Sequence, residues 1–136
     1  MTIKRIFEWG ISNPKKLILI DGFAALLSAI LLGIVLVKFE YLFGIPRPTL
    51  YFLASFPCLF ALYDFYGYYV SDKKVGSFLK GIAILNGMYC CISIIMLIYH
   101  REKISNLGWI YILTEILIVS LLAFFELIVG KRQIES

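Results

Sequence analysis

Four long apolar runs, Leu17 to Val37, Leu50 to Val70, Phe78 to Tyr99 and Leu107 to Gly130, constrain this chain more than anything else in it. A helix needs about 20 residues at about 1.5 Å each to cross a hydrocarbon core of about 30 Å, and each run is long enough. In lipid, every backbone donor and acceptor must be paired within the protein, so membrane-length runs with no alternation of polar residues read as helices. The composition agrees: 61% of the 136 residues are hydrophobic and 16% charged, where soluble domains are about 45–50% apolar. The links between runs, 38–49, 71–77 and 100–106, leave no room for a soluble domain. The expected fold is therefore an all-α membrane protein, an antiparallel four-transmembrane-helix bundle with a short N-terminal interfacial helix, forming a single integral membrane domain over residues 1–136.

The first run follows Lys15 and Lys16 like the apolar stretch of a signal peptide. It exceeds the usual length of such a stretch, about 7–15 residues, and ends at no small-x-small cleavage site, so it reads as a span. The formal net charge of +4 matters less than its distribution. With the amino terminus in the cytoplasm, Lys4, Arg5, Lys15, Lys16, Lys73, Lys74, Lys80, Lys131 and Arg132 fall inside, and Lys38, Arg47, Arg101 and Lys103 outside. That bias satisfies the positive-inside rule and places both termini in the cytoplasm.

Along the chain, Ile3, Ile6, Phe7 and Gly10 recur at helical spacing ahead of Trp9 and the Asn13-Pro14 pair. This predicts a short helix on the membrane surface, with Asn13 capping the next helix and Pro14 in its first turn. Asp21, Ala25, Ala29 and Gly33 form a small-residue face on the first span, and Ala83, Gly87 and Cys91 form another on the third, where helices can approach closely. The Phe39–Thr49 link, with Pro46 and Pro48 about Arg47, predicts a stiff turn on the outer side. Pro57 predicts a kink in the second span, and Ser77 and Asn106 are the expected caps of the third and fourth.

Ionisable groups inside spans are the candidate functional residues, because a charge at the bilayer centre costs at least about 2.5–3.5 kcal/mol. Four acids lie there, Asp21, Asp64, Glu115 and Glu126, with Asn86 and a single basic residue, Lys80. At 1.5 Å per residue Asp64 and Asn86 sit about 9 and about 12 Å from the cytoplasmic end, so the spacing predicts that they meet, with Lys80 reaching Asp64 or Asp21. Glu115 lies about 22 Å from that end and is expected to stand apart from Asp64. Asp21 and Glu126 are expected at the interface, and Tyr111, Glu115, Leu122 and Glu126 share one face of the fourth span.

Other chemistries lack their residues. Cys58, Cys90 and Cys91 contain no CxxC, and the vicinal pair diverges by about 100° around a helix, which argues against thiol–disulfide exchange. The sole histidine, His100, rules out a bis-histidine haem within one chain, and no cluster suggests a metal site. There is no glycine-rich phosphate loop, Ser-His-Asp set or HExxH, so no catalytic, cofactor-binding or metal residue is assigned and no cofactor is expected. Tyrosines and basic residues do not interleave on any exposed face, which excludes nucleic acid as a partner.

The stretches DGFAALLSAILLG (Asp21 to Gly33) and FEYLFGIPRPTLYFLA (Phe39 to Ala54) resemble small four-span bacterial integral membrane proteins to which no activity attaches. The resemblance implies a four-helix architecture and a bacterial inner-membrane setting, and it carries over no functional residue. Three functional readings follow. The leading one is a non-enzymatic accessory or structural membrane component, acting through partner membrane proteins or a second copy at its small-residue faces. The alternative is a small proton-coupled transporter or small-ligand carrier using Asp64 and Glu115. The third is a membrane enzyme acting on lipid or quinone, for which no nucleophile–base pair is present.

Overall fold

The computed structural model describes residues 3–70 and 74–135, and among them every regular element is helical. Helix α1 is Ile3–Ser12, α2 is Pro14–Lys38, α3 is the single turn Glu40–Phe43, α4 is Arg47–Val70, α5 is Val75–Tyr99 and α6 is Asn106–Glu135. By length and composition four of these, α2, α4, α5 and α6, can cross a membrane. Each contains one of the four apolar runs and extends beyond it. Arg47, Pro48 and Thr49 open α4 instead of lying in a turn, because proline in a first turn loses no hydrogen bond the helix would make.

The caps differ from expectation. Asn13 turns its amide back to the Trp9 carbonyl at 3.0 Å and makes no side-chain cap for α2, although Pro14 does open that helix. Helix α5 begins at Val75, before Ser77, with no side-chain cap; residues 71–73 of the preceding link lie outside those described. Ser105, not Asn106, caps α6, its Oγ accepting from the Gly108 amide at 3.1 Å while donating to the Leu42 carbonyl at 2.6 Å. The Ser105 hydroxyl therefore caps one helix and holds a neighbouring loop together.

That loop reverses at Gly44, whose φ of 72° is the left-handed conformation that closes α3. Glu40 accepts from the Arg47 amide at 3.0 Å across the reversal, a carboxylate placed where the α4 dipole is positive. Thr49 and His100, 2.8 Å apart, tie the start of α4 to the end of α5.

The helices pack most closely as two pairs, α2 with α4 and α5 with α6. Phe23 meets Phe65 edge-on at 5.5 Å, and about three turns away on each helix a methyl group at Gly33 would sit 3.3 Å from the Ala54 Cβ. In the other pair, Gly76 and Gly130 bring two backbones together: a Cβ on either would lie 2.8–2.9 Å from the other's carbonyl oxygen. Helix α1 rests on α6 through Phe7 and Phe125, 5.0 Å apart, and leaves Ile3 and Trp9 exposed.

Two apolar cores result. Leu17, Ile18, Leu79, Ile82 and Val129 fill the end nearest the termini, and Leu32, Leu36, Ile45, Leu50, Leu53, Leu97 and Ile112 fill the other. Between Ile30 and Leu36 one turn of α2, Leu31–Val35, widens to a π-helix, a local irregularity that no residue pattern announced and that is frequent at functional sites.

Candidate functional site

Two polar centres lie along the inner faces of the helices. Two spacings set their positions: Asp21 and Ser28 are two turns apart on α2, and Glu126 and Glu115 are about three turns apart on α6. Asn86 and Tyr89, one turn apart on α5, contribute one group to each centre.

In the first centre Asn86 donates both hydrogens of its amide, one to Asp21 Oδ1 at 3.1 Å and one to Glu126 Oε1 at 3.0 Å. Asp64 belongs to the same layer, its field acting on Glu126 and that of Asp21 on it. All are enclosed, with exposures of 3% for Asp21, 0% for Asp64, 6% for Asn86 and 0% for Glu126. Both oxygens of Asp64, Oδ2 of Asp21 and Oε2 of Glu126 face no hydrogen-bond donor.

This arrangement corrects the sequence-based pairing. Asn86 joins Asp21 and Glu126, not Asp64, and Lys80 makes no ion pair among the described residues. Asp21 and Glu126 are buried between the helices. Residue counts gave each group's depth along its own helix, whereas the rotation of each helix decides which groups of equal depth meet.

The second centre surrounds Glu115. Tyr89 donates to its Oε1, and Ser28, at 3.1 Å, and Tyr111, at 2.9 Å, donate to its Oε2. Glu115 therefore does not stand alone: α2, α5 and its own helix each supply a hydroxyl. Tyr111 was legible as its neighbour four residues earlier on the same face. Tyr89 was missed, although it lies one turn from both Asn86 and Ser93 on one face of α5; Ser28 required knowing that α2 faces α6.

A cavity of about 600 Å³ joins the two centres. Asp21 and Asn86 line it at one end, Ser28, Tyr89, Tyr111 and Glu115 at the other, with Ala25, Pro57, Phe60 and Leu122 among its apolar walls. Leu27, Ile110 and Ile118 line the same cavity yet are 57%, 62% and 58% exposed, so it opens sideways between α2 and α6. The volume suits a small organic ligand, for which such sites run about 300–1,000 Å³. Among the described residues, no group of three or more His, Cys, Asp or Glu is arranged to hold a metal ion.

The fold and cavity define a class, a helical protein with four membrane-length helices around an acid-bearing, mostly apolar chamber. Comparison with known proteins adds no name to that class: no family model, no curated protein and no solved structure matches this chain.

Proposed function

We propose that this protein is a non-enzymatic carrier of the bacterial inner membrane that takes a small, largely apolar ligand from the bilayer into its cavity and couples the movement to protons on its intramembrane carboxylates. The observation that carries this reading is that Asp21 and Asn86 at one end and Glu115 at the other line one chamber with a lateral opening.

The first centre supplies the proton. Asp21, Asp64 and Glu126 have four buried oxygens with no donor, and Asn86 has no hydrogen left to give. Three bare negative charges at this spacing repel one another in a medium that solvates none of them. Protons on the carboxyl groups turn acceptors into donors and let the acids bond to one another. Asp21, being common to the cluster and the cavity wall, is the residue through which an occupant of the cavity acts on those protons.

The chain is read as an antiparallel four-helix bundle, with both termini cytoplasmic by its charge bias and α1 at the interface, its exposed Ile3 and Trp9 turned to lipid. The test is uptake by reconstituted vesicles of a panel of small lipophilic compounds of each charge type, with and without a pH gradient. At least one compound should accumulate in a gradient-dependent way that Asp64→Asn or Glu115→Gln abolishes. Uptake no greater than in protein-free vesicles for every compound removes the carrier reading.

One observation favours an accessory role as the second reading. A Cβ on Gly87 would meet nothing within 4 Å and Cys91 is exposed, so the Gly87–Cys91 part of the small-residue face of α5 is left open to a partner helix or a second copy, while Ala83 is buried. Copurification in mild detergent separates the two, since a clean monomer without bound protein counts against the accessory role.

A further inference from the structure

We propose that the ligand of this cavity is a lipophilic monovalent ammonium ion, of tertiary-amine type, whose N–H seats on Oε1 of Glu115. The inference rests on the cavity reading above and adds the chemical class of the occupant. A carboxylate offers about four lone-pair positions, two on each oxygen. Ser28 and Tyr111 fill both on Oε2, and Tyr89 fills one on Oε1. One acceptor position is left, and Glu115 lines the cavity. All three partners are neutral hydroxyls, so they orient the carboxylate without cancelling its charge.

A cation with a single N–H matches that vacancy in number and sign, and its alkyl or aryl groups match the apolar walls. A primary ammonium would bring two further hydrogens that the carboxylate of Glu115 has no free position to accept, and each left unpaired in the cavity would cost binding. The rings of Phe60 and Tyr89, 6.1 Å apart, both line the cavity, and aromatic faces attract an alkylammonium. A carboxylate or phosphate ligand would face Glu115 with like charge. The lateral opening between α2 and α6 admits an amphipath already dissolved in the bilayer, so a hydrophilic amine has no such route.

The experiment is equilibrium binding to the full-length protein in nanodiscs, against empty nanodiscs, of three probes with one aromatic body: a naphthylmethyl dimethylamine, the neutral naphthylmethyl methyl ether, and naphthylacetate. The amine should bind about tenfold or more tightly than the ether, a ratio worth about 1.4 kcal/mol, and naphthylacetate should bind weakest. Glu115→Gln should bring the amine down to the ether's affinity, and Ala25→Phe, which fills the chamber, should abolish binding of both. Equal binding of amine and ether to the wild-type protein overturns the ammonium assignment without any variant having to fold. If Ala25→Phe still removes that binding, the cavity reading survives alone. Displacement of tightly held phospholipid equally by amine and ether identifies an acyl chain as the occupant and overturns the assignment. Binding of no probe above empty nanodiscs overturns the assignment and the cavity reading together.

Discussion

Asn86 and Asp64 sit in one polar layer with opposite energetic roles. Asn86 holds two acids through its only two donor hydrogens, so Asn86→Leu, which keeps the branching at Cγ, takes the amide donor away from both Asp21 and Glu126. Each buried polar group stripped of its partner costs about 1–3 kcal/mol, and the variant is expected to lose about 2–5 kcal/mol in a detergent unfolding titration. Asp64 receives no hydrogen from Asn86 or any other fixed donor on either oxygen. Asp64→Leu exchanges an enclosed carboxyl that only a proton shared with its fellow acids can satisfy for an apolar side chain, and is expected to unfold no more easily than wild type, as replaced buried polar groups often do. A clear loss of stability in Asp64→Leu would mean that its carboxyl is structural. The residue types at both positions were readable from the chain as polar groups within apolar runs. Their partners were not, because a side chain's partner depends on which way its helix is turned.

At the scale of elements, the helix pairs depend on close backbone approach. A Cβ on Gly130 would stand 2.9 Å from the Gly76 carbonyl oxygen and 3.1 Å from the Lys80 amide nitrogen. Neither atom belongs to a flexible side chain, so Gly130→Ala must push α6 off α5. Overpacking of this kind costs about 1–3 kcal/mol. The same titration should show that loss, and a Gly87→Ala control, where nothing lies within 4 Å, should show none or a slight gain in helix stability. Gly44→Ala is expected to cost at least about 1–2 kcal/mol for its left-handed backbone alone, with the added carbon also running into the Lys103 carbonyl oxygen. Pro14 marked where α2 begins, whereas Pro48, expected in a turn, opens α4. The amino-acid order did not mark the Gly76–Gly130 crossing, because Gly76 sat in what read as a turn and Gly130 at the edge of a run.

At the scale of the whole molecule, the amphipathic α1 and the end of α6 lie together, with Phe7 against Phe125 and Gln133 donating to the Ile11 carbonyl. Taken with the charge bias, this predicts one side for both ends. In a variant with Cys58, Cys90 and Cys91 replaced by alanine, an impermeant thiol reagent applied to intact cells should label Lys103→Cys, whereas Lys4→Cys and Lys131→Cys should react only after permeabilisation. Labelling of Lys4→Cys in intact cells would invert the proposed orientation.

How much could be read in advance follows from the range of the interactions involved. Helix formation in lipid is local, because each backbone hydrogen bond closes within four residues and each apolar run needs only its own length to span. The number of membrane-length helices, their approximate limits and the placing of the four acids within them are therefore properties of the amino-acid order alone. The cavity, the three hydroxyls on Glu115 and the grouping of Asp21 with Asp64 and Glu126 bring together residues far apart in the chain, such as Ser28 and Glu115, which are 87 positions apart. Those meetings depend on the rotation and pairing of whole helices. Packing and backbone approach at places such as Gly76 and Gly130 decide them, and only the assembled molecule contains that information.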